Sequence, residues 1–327
     1  MATGNETNPN EVRSVLDYAE GEIFVSSLEA VFKGALESEV PVHAVYGPAR
    51  GPFQKLRGHQ ADEGLSRLLA AHGCRLEVID EPGRAVDLAA RSCLAGRNVV
   101  MLMPAGDVLR SANALVRARK LLEGSEGFGL LLIIEDDVEH LARAAPVHLL
   151  DDLAIAKIEP NDVSDLRDMI EHGIRLSRAG NGPTSMLVAS NLLHSFDTIT
   201  ARPNRVVGTL DVAAAMKRKR RIGRGLETMG LLRLSRRLEL NKTSALPSPG
   251  ERAPLGLVAI GPAYTAAEYL LRRFGLEGRI PLLRIGMSVP FDDSIAERLL
   301  SRCERVVVLE ARPGLTGKAL LAASEAA

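Results

Sequence analysis

Along residues 26–191, continuous apolar runs alternate with segments whose apolar positions recur at the helical period. The runs at 42–46, 75–79, 99–103, 129–134, 153–158 and 185–189 read as strands, and several lack the polar alternation of a half-exposed strand. Segments 27–37, 82–95, 108–123 and 163–178 read as the helices between them. Buried strands joined by helices predict an α/β fold with a doubly wound parallel sheet.

The pattern changes near residue 201. Pro, Asn and Arg lead into Met216-Lys-Arg-Lys-Arg-Arg-Ile-Gly-Arg224, then into a Pro- and Ser-containing stretch at 244–254. Beyond it strands at 255–260, 281–285 and 305–309 alternate with helices at 264–274, 292–301 and from about 316, a second, smaller α/β domain. The expected organisation is a flexible segment at 1–25, a first domain at 26–200, a basic connection at 201–253 and the second domain at 254–327. The run Lys217 to Arg221 reads as a nucleic-acid or phosphate patch, a solvated helix face or a subunit contact, and the balanced overall charge favours the last two.

Composition narrows the function. Lys plus Arg and Asp plus Glu both number 41, there is no Trp, and only four Tyr and seven Phe could stack on bases, so no nucleic-acid partner is expected. Cys74, Cys93 and Cys303 are scattered, which excludes an iron–sulfur cluster held by this chain alone and disfavours a disulfide framework. With no membrane-length apolar run, the expectation is a soluble chain in a reducing cytoplasm.

The most informative segment is Val78-Ile-Asp-Glu-Pro-Gly-Arg84. It places Glu81 where a strand gives way to a helix that begins at Pro82 and stops at Gly96. Carboxylates are favoured at helix N-termini for local electrostatic reasons, and the C-terminal ends of parallel strands also face the crevice where such sheets bind ligands. Both readings of Glu81 stand at this point. Glu135-Asp136-Asp137, at another strand end, offers either a cation-binding loop or simply a polar turn. Gly314-Leu-Thr-Gly-Lys318 lacks the spacing and the hydroxyl of a phosphate loop, and the glycines at 223, 225 and 230 do not fit a dinucleotide fingerprint.

Taken in order, several strings resemble the alpha subunit of the indolepyruvate ferredoxin oxidoreductases, within the thiamine-diphosphate-dependent 2-oxoacid:ferredoxin oxidoreductase family. They are the opening from Leu28 to Gly47-Pro48, Asp80-Glu-Pro-Gly with its helix ending in Ala95-Gly96, Glu159-Pro-Asn-Asp162, Ile260-Gly-Pro-Ala-Tyr264, Leu283-Arg-Ile-Gly286 and Val306-Val-Val-Leu-Glu310. The resemblance implies a pyrimidine-binding domain followed by a transketolase-C-like domain. It implies that Glu81 is the catalytic glutamate that hydrogen-bonds the aminopyrimidine ring of thiamine diphosphate, with Gly47 and Pro48 walling the cofactor pocket. It also implies oxidative decarboxylation of a 2-oxoacid to an acyl-coenzyme A, with electrons passed to iron–sulfur clusters.

Three departures accompany the likeness. Where the family carries hydroxyls after the first strand, this chain has Gly47-Pro-Ala-Arg-Gly51. The loop after Asp136-Asp137 is more apolar than the family's. No Gly-Asp-Gly followed by Asn is present to hold magnesium and the diphosphate. The implied partners are therefore a diphosphate-binding subunit or domain, which brings the magnesium, and an iron–sulfur or gamma-type subunit. The chain is expected to be inactive alone and part of an oligomer; the alternative is a catalytically degenerate pyrimidine domain kept as a structural or regulatory subunit.

Overall fold

In the computed structural model the described residues are 14–123, 128–137, 144–206, 224–311, 317, 320 and 321. The basic run at 217–221 and most of the 314–318 string lie outside them.

A seven-stranded sheet forms the larger part. In chain order its strands are β2 (Ala44–Gly47), β3 (Leu76–Val78), β4 (Val99–Met103), β5 (Leu130–Asp136), β6 (Ala156–Ile158), β7 (Thr184–Ala189) and β12 (Met287–Val289). They are arranged β12-β6-β7-β5-β4-β2-β3, and all pairs are parallel except β12 with β6. Every residue of β4 is buried, as expected of a strand covered on both faces. One face carries helices Ser27–Glu37 and Val163–Ala179; the other carries Pro82–Leu94 and Ala112–Leu122. The first of these helices starts at a capping box, Ser26 with Glu29. A methyl group on Gly34 would run into the Arg167 carbonyl, so glycine there lets the two helices approach closely.

The helix expected over 108–123 is two helices, Ala105–Arg110 and Ala112–Leu122. Ser111 divides them: its hydroxyl bonds back to the carbonyls of Asp107 (2.8 Å) and Val108 (3.2 Å), which competes with regular helix geometry. A two-stranded antiparallel ribbon, β1 (Glu22–Ser26) with β8 (Phe196–Thr200), lies outside the main sheet.

The smaller sheet is ordered β13-β10-β11-β9, from β9 (Asn241–Ser244), β10 (Gly256–Ile260), β11 (Leu282–Ile285) and β13 (Val306–Leu309), with β9 antiparallel to β11. Directly after β11 the chain crosses over, and β12 closes the edge of the larger sheet against β6. Gly286 makes the crossing: its amide donates to Leu240 O (2.9 Å) and Asn241 Oδ1 (3.0 Å), and its carbonyl accepts from Glu159 N (2.9 Å). Arg284 with Asp165 (2.7 Å) adds an ion pair across the seam. The architecture is the doubly wound α/β fold with a second α/β unit.

Candidate functional site

The C-terminal ends of β2, β3 and β4 form one rim. β2 ends at Gly47, where a Cβ would come within 2.9 Å of Leu102 Cβ and 3.0 Å of a Leu56 methyl, so the backbone can lie flat against its neighbours only as glycine. Pro48 is buried beside it. Gly47 O accepts from Ile79 N (2.9 Å), which ties this turn to the end of β3. Ala49 N donates to Asp80 Oδ1 (3.1 Å), Arg57 pairs with Asp80 Oδ2 (2.7 Å), and the Arg50 fork reaches both the Asp80 carbonyl and the buried carboxylate of Asp107. Asp107 also takes Arg110. The Ala49 amide, aided by the Arg57 and Arg50 charges, holds the Asp80 carboxyl below the usual carboxylate range.

Glu81 follows this clamp. It is exposed and is the N-cap of helix Pro82–Leu94, accepting the amides of Gly83 (2.9 Å) and Arg84. Each carboxylate oxygen keeps a further lone pair free of those amides. The structure therefore brings Glu81, Gly47 and Pro48 to one rim, with Glu81 directed outward at the sheet's β3 edge rather than into a cleft between the chain's own two units.

A cavity of about 270 Å³ does lie between the units, at the other edge of the sheet. Asp136, Asp151, Lys157 and Glu159 line it from the first unit, Gly261 and Ser288 from the second. Lys157 is buried and pairs with Asp151 (2.5 Å), and Ser288 donates to Glu159 (3.1 Å). Four strand spacings, about 19 Å, separate β3 from β7 at this cavity. Glu135 accepts from Ser190 (3.1 Å), Asp136 faces the cavity, and among the described residues no three His, Cys, Asp or Glu side chains converge as metal ligands. The cysteines are buried in three different parts of the core, and burial pushes the Cys74 thiol up to about 12 and that of Cys93 higher still, so both behave as apolar packing groups. No described helix is long and apolar enough to cross a membrane.

Arg50, Asp80 and Asp107 were not among the expected site residues. Arg50 was visible only as a departure from the family string. Its partners are 30 and 57 residues away, and no local pattern connects them.

No model of a protein family matches the chain. Among curated proteins it is similar to indolepyruvate oxidoreductase subunit IorA of Methanothermobacter thermautotrophicus, 24% identical over 323 residues that cover 92% of this chain and 48% of the relative. The same subunit of Methanothermobacter marburgensis is 22% identical, over 95% of this chain and 50% of the relative. The chain thus spans about half the length of these relatives. Among solved structures, the fold is similar to 2-oxoglutarate:ferredoxin oxidoreductase from Magnetococcus marinus, determined with 2-oxoglutarate, coenzyme A and succinyl-CoA bound (TM-score 0.62, 12% identity, 88% of this chain and 57% of that one). It is also similar to a split-gene transketolase, an inactive beta4 tetramer (TM-score 0.51, 14% identity, 92% and 85%). These likenesses bear out the family resemblance carried by the ordered strings and the mixed α/β architecture.

Proposed function

We propose that this chain is the pyrimidine-binding part of a thiamine-diphosphate-dependent 2-oxoacid oxidoreductase acting on indolepyruvate or a similar 2-oxoacid, completed by a partner that holds the diphosphate. The observation that carries the proposal is the position of Glu81 beside the Gly47-Pro48 turn, at the C-terminal rim of the sheet, in a chain similar to IorA over nine-tenths of its length. A cofactor shared between two domains needs its half-site to open outward, and an exposed Glu81 fits that requirement.

The residues fit the pyrimidine half of the cofactor only. Glu81 presents free lone pairs toward which a ring nitrogen could hydrogen-bond, and the Gly47-Pro48 turn would be the wall beside it. Nothing in the sequence resembles a diphosphate-binding motif, so magnesium and the diphosphate belong to the partner in this reading. When bound, thiamine diphosphate would supply the nucleophilic carbon that decarboxylates the 2-oxoacid. Glu81 would hold the proton shared with the pyrimidine ring, and the clamp of Arg50, Asp80 and Asp107 would fix the backbone that presents it. Coenzyme A would take the acyl group, and electrons would leave through iron–sulfur clusters on a gamma-type partner.

The second reading, a catalytically degenerate subunit, is favoured by Arg50. It occupies the loop where the family has hydroxyls, and its guanidinium is already committed to Asp80 and Asp107.

The test is to isolate the chain with its native partners and assay 2-oxoacid-dependent reduction of a viologen dye. Turnover that requires thiamine diphosphate and falls with Glu81→Gln supports the first reading. A complex that binds the cofactor and turns over unchanged with Glu81→Gln supports the second.

A further inference from the structure

The ribbon β1–β8 carries an aromatic pair on its solvent face. Phe24 is 66% and Phe196 54% exposed, and their rings stack with centroids 5.8 Å apart and planes 16° apart. Strand alternation explains how this face is composed: Ile23, Val25 and Ile199 point into the core, while Glu22, Phe24 and Ser26 share the outer face with Thr200, Thr198 and Phe196. Two stacked phenylalanines on a solvent face form a patch, unlike the isolated exposed apolar residue found on any protein surface.

The charges on this face run from one end to the other. Lys55 places its ammonium 5.9 Å from the Phe196 ring centroid, at the end of the ribbon where Ser26 and Phe196 pair. Glu22 lies at the opposite end, about 14 Å away along β1. Neither forms an ion pair among the described residues.

We infer that this face is the centre of a two-fold interface with a second copy of the chain. An axis lying in the interface, across the strands near Phe24, turns one ribbon end over end against the other. Phe24 then meets Phe24 of the second copy. Glu22 of each copy comes to lie over Ser26 of the other, one strand spacing of about 4.8 Å from Phe196 and within reach of Lys55. The two acid–base contacts are equivalent, as an isologous dimer requires, and a partner of uniform charge could not satisfy both ends. The ribbon alone is smaller than the about 800 Å² per partner of a standard interface, so the neighbouring exposed residues at 17–22, 54, 55, 57 and 58 form the rim. This assignment does not depend on the cofactor proposal.

The experiment is sedimentation velocity on the full chain between about 1 and 100 μM, the range in which an interface of modest size dissociates. The wild type should be dimeric at the upper end, and Phe24→Ser with Phe196→Ser should be monomeric with an unchanged thermal transition. Glu22→Lys and Lys55→Glu should each weaken the dimer at least about tenfold, because each sets like charges against one another twice. The double exchange should restore it. A wild type that stays monomeric overturns the proposal, as does a dimer indifferent to the single charge changes or not restored by the double one.

Discussion

The two rims of the large sheet are both polar, yet they use polarity in opposite ways. At the N-terminal rim His43, Asn98 and Ser177 are buried and bonded mainly to backbone. Asn98 N donates to His43 Nδ1 (2.9 Å), Asn98 Nδ2 donates to Pro41 O (2.6 Å), and Asn98 Oδ1 accepts from Gly129 N (2.8 Å). Ser177 accepts from Leu130 N (2.8 Å) and donates to Gly182 O (2.6 Å). At the C-terminal rim the polar groups are charged, and Glu81, Asp80 and Arg57 stand in solvent. A buried neutral network settles which strands lie side by side, because any other arrangement leaves donors and acceptors unpaired. Exposed charges contribute little to that choice and remain free to meet something outside the chain.

The largest expected effect tests the outward-facing rim. In the complex with its partners, Glu81→Gln should lower turnover by about 10²- to 10⁴-fold, the usual contribution of one positioned acid–base group. Stability of the isolated chain should change by less than about 1 kcal/mol, since glutamine can still accept at the helix N-terminus. Thermal melts beside steady-state rates separate the two, and a large loss of stability would move Glu81 into the same class as Asn98.

A second test addresses the buried rim through pH. Burial, together with the Arg97 charge, pulls the His43 pKa down from 6.5 to about 4. Its Nδ1 already accepts the Asn98 amide, so a second ring proton would displace that bond. The unfolded chain therefore takes up this proton first. The contribution of neutral His43 is complete above about pH 6.5 and is lost as pH falls through 4, by at most about 3 kcal/mol. Urea titrations at several pH values should show this slope in the wild type and a shallower one in His43→Gln. Burial also lowers the pKa values of His59 and His172, so their contributions have the same sign and only the difference between the two proteins reports on His43.

Asn98→Ala should come next, costing about 2 kcal/mol, because it leaves the buried Gly129 amide and the half-buried Pro41 carbonyl without their partner. Chemical denaturation measures it. A cost near zero would mean that the network records the strand order without enforcing it.

The contrast between the rims also explains what could be read from the sequence. β4, β5 and β10 were legible because a buried strand is a continuous apolar run, and helix Pro82–Leu94 because Pro82 and Gly96 punctuate it; Gly96 indeed adopts φ +86°. β9 (Asn-Lys-Thr-Ser) and β12 are short edge strands, and what makes them strands is pairing with a distant partner, β9 with β11 inside the smaller sheet and β12 with β6 across the seam, which no local pattern records. The ribbon was missed for a related reason: its strands are joined by the whole first unit. Glu81, Gly47 and Pro48 could be located by their strand-end positions. The Arg50–Asp80–Asp107 clamp could not, because its members meet only when three strands align. Reading 108–123 as one helix failed at Ser111, where a hydroxyl competing for backbone carbonyls outweighed an unbroken apolar period.

The smallest effect bears most directly on the contrast. Arg57 and Asp80 form a well-placed ion pair at 2.7 Å, yet their side chains are 65% and 53% exposed. Water and salt screen such a pair, and holding the arginine in one rotamer costs entropy. Arg57→Ala should therefore change stability by less than about 0.5 kcal/mol. Asp80 keeps the Ala49 amide and its carbonyl keeps Arg50, so the turn that presents Glu81 should survive. Urea denaturation of this variant at low and at 0.5 M salt would show nearly coincident midpoints. A loss comparable to that of Asn98→Ala would mean that the C-terminal rim is as much a structural clasp as the N-terminal one, and the division between a rim that specifies the fold and a rim that faces a ligand would fail.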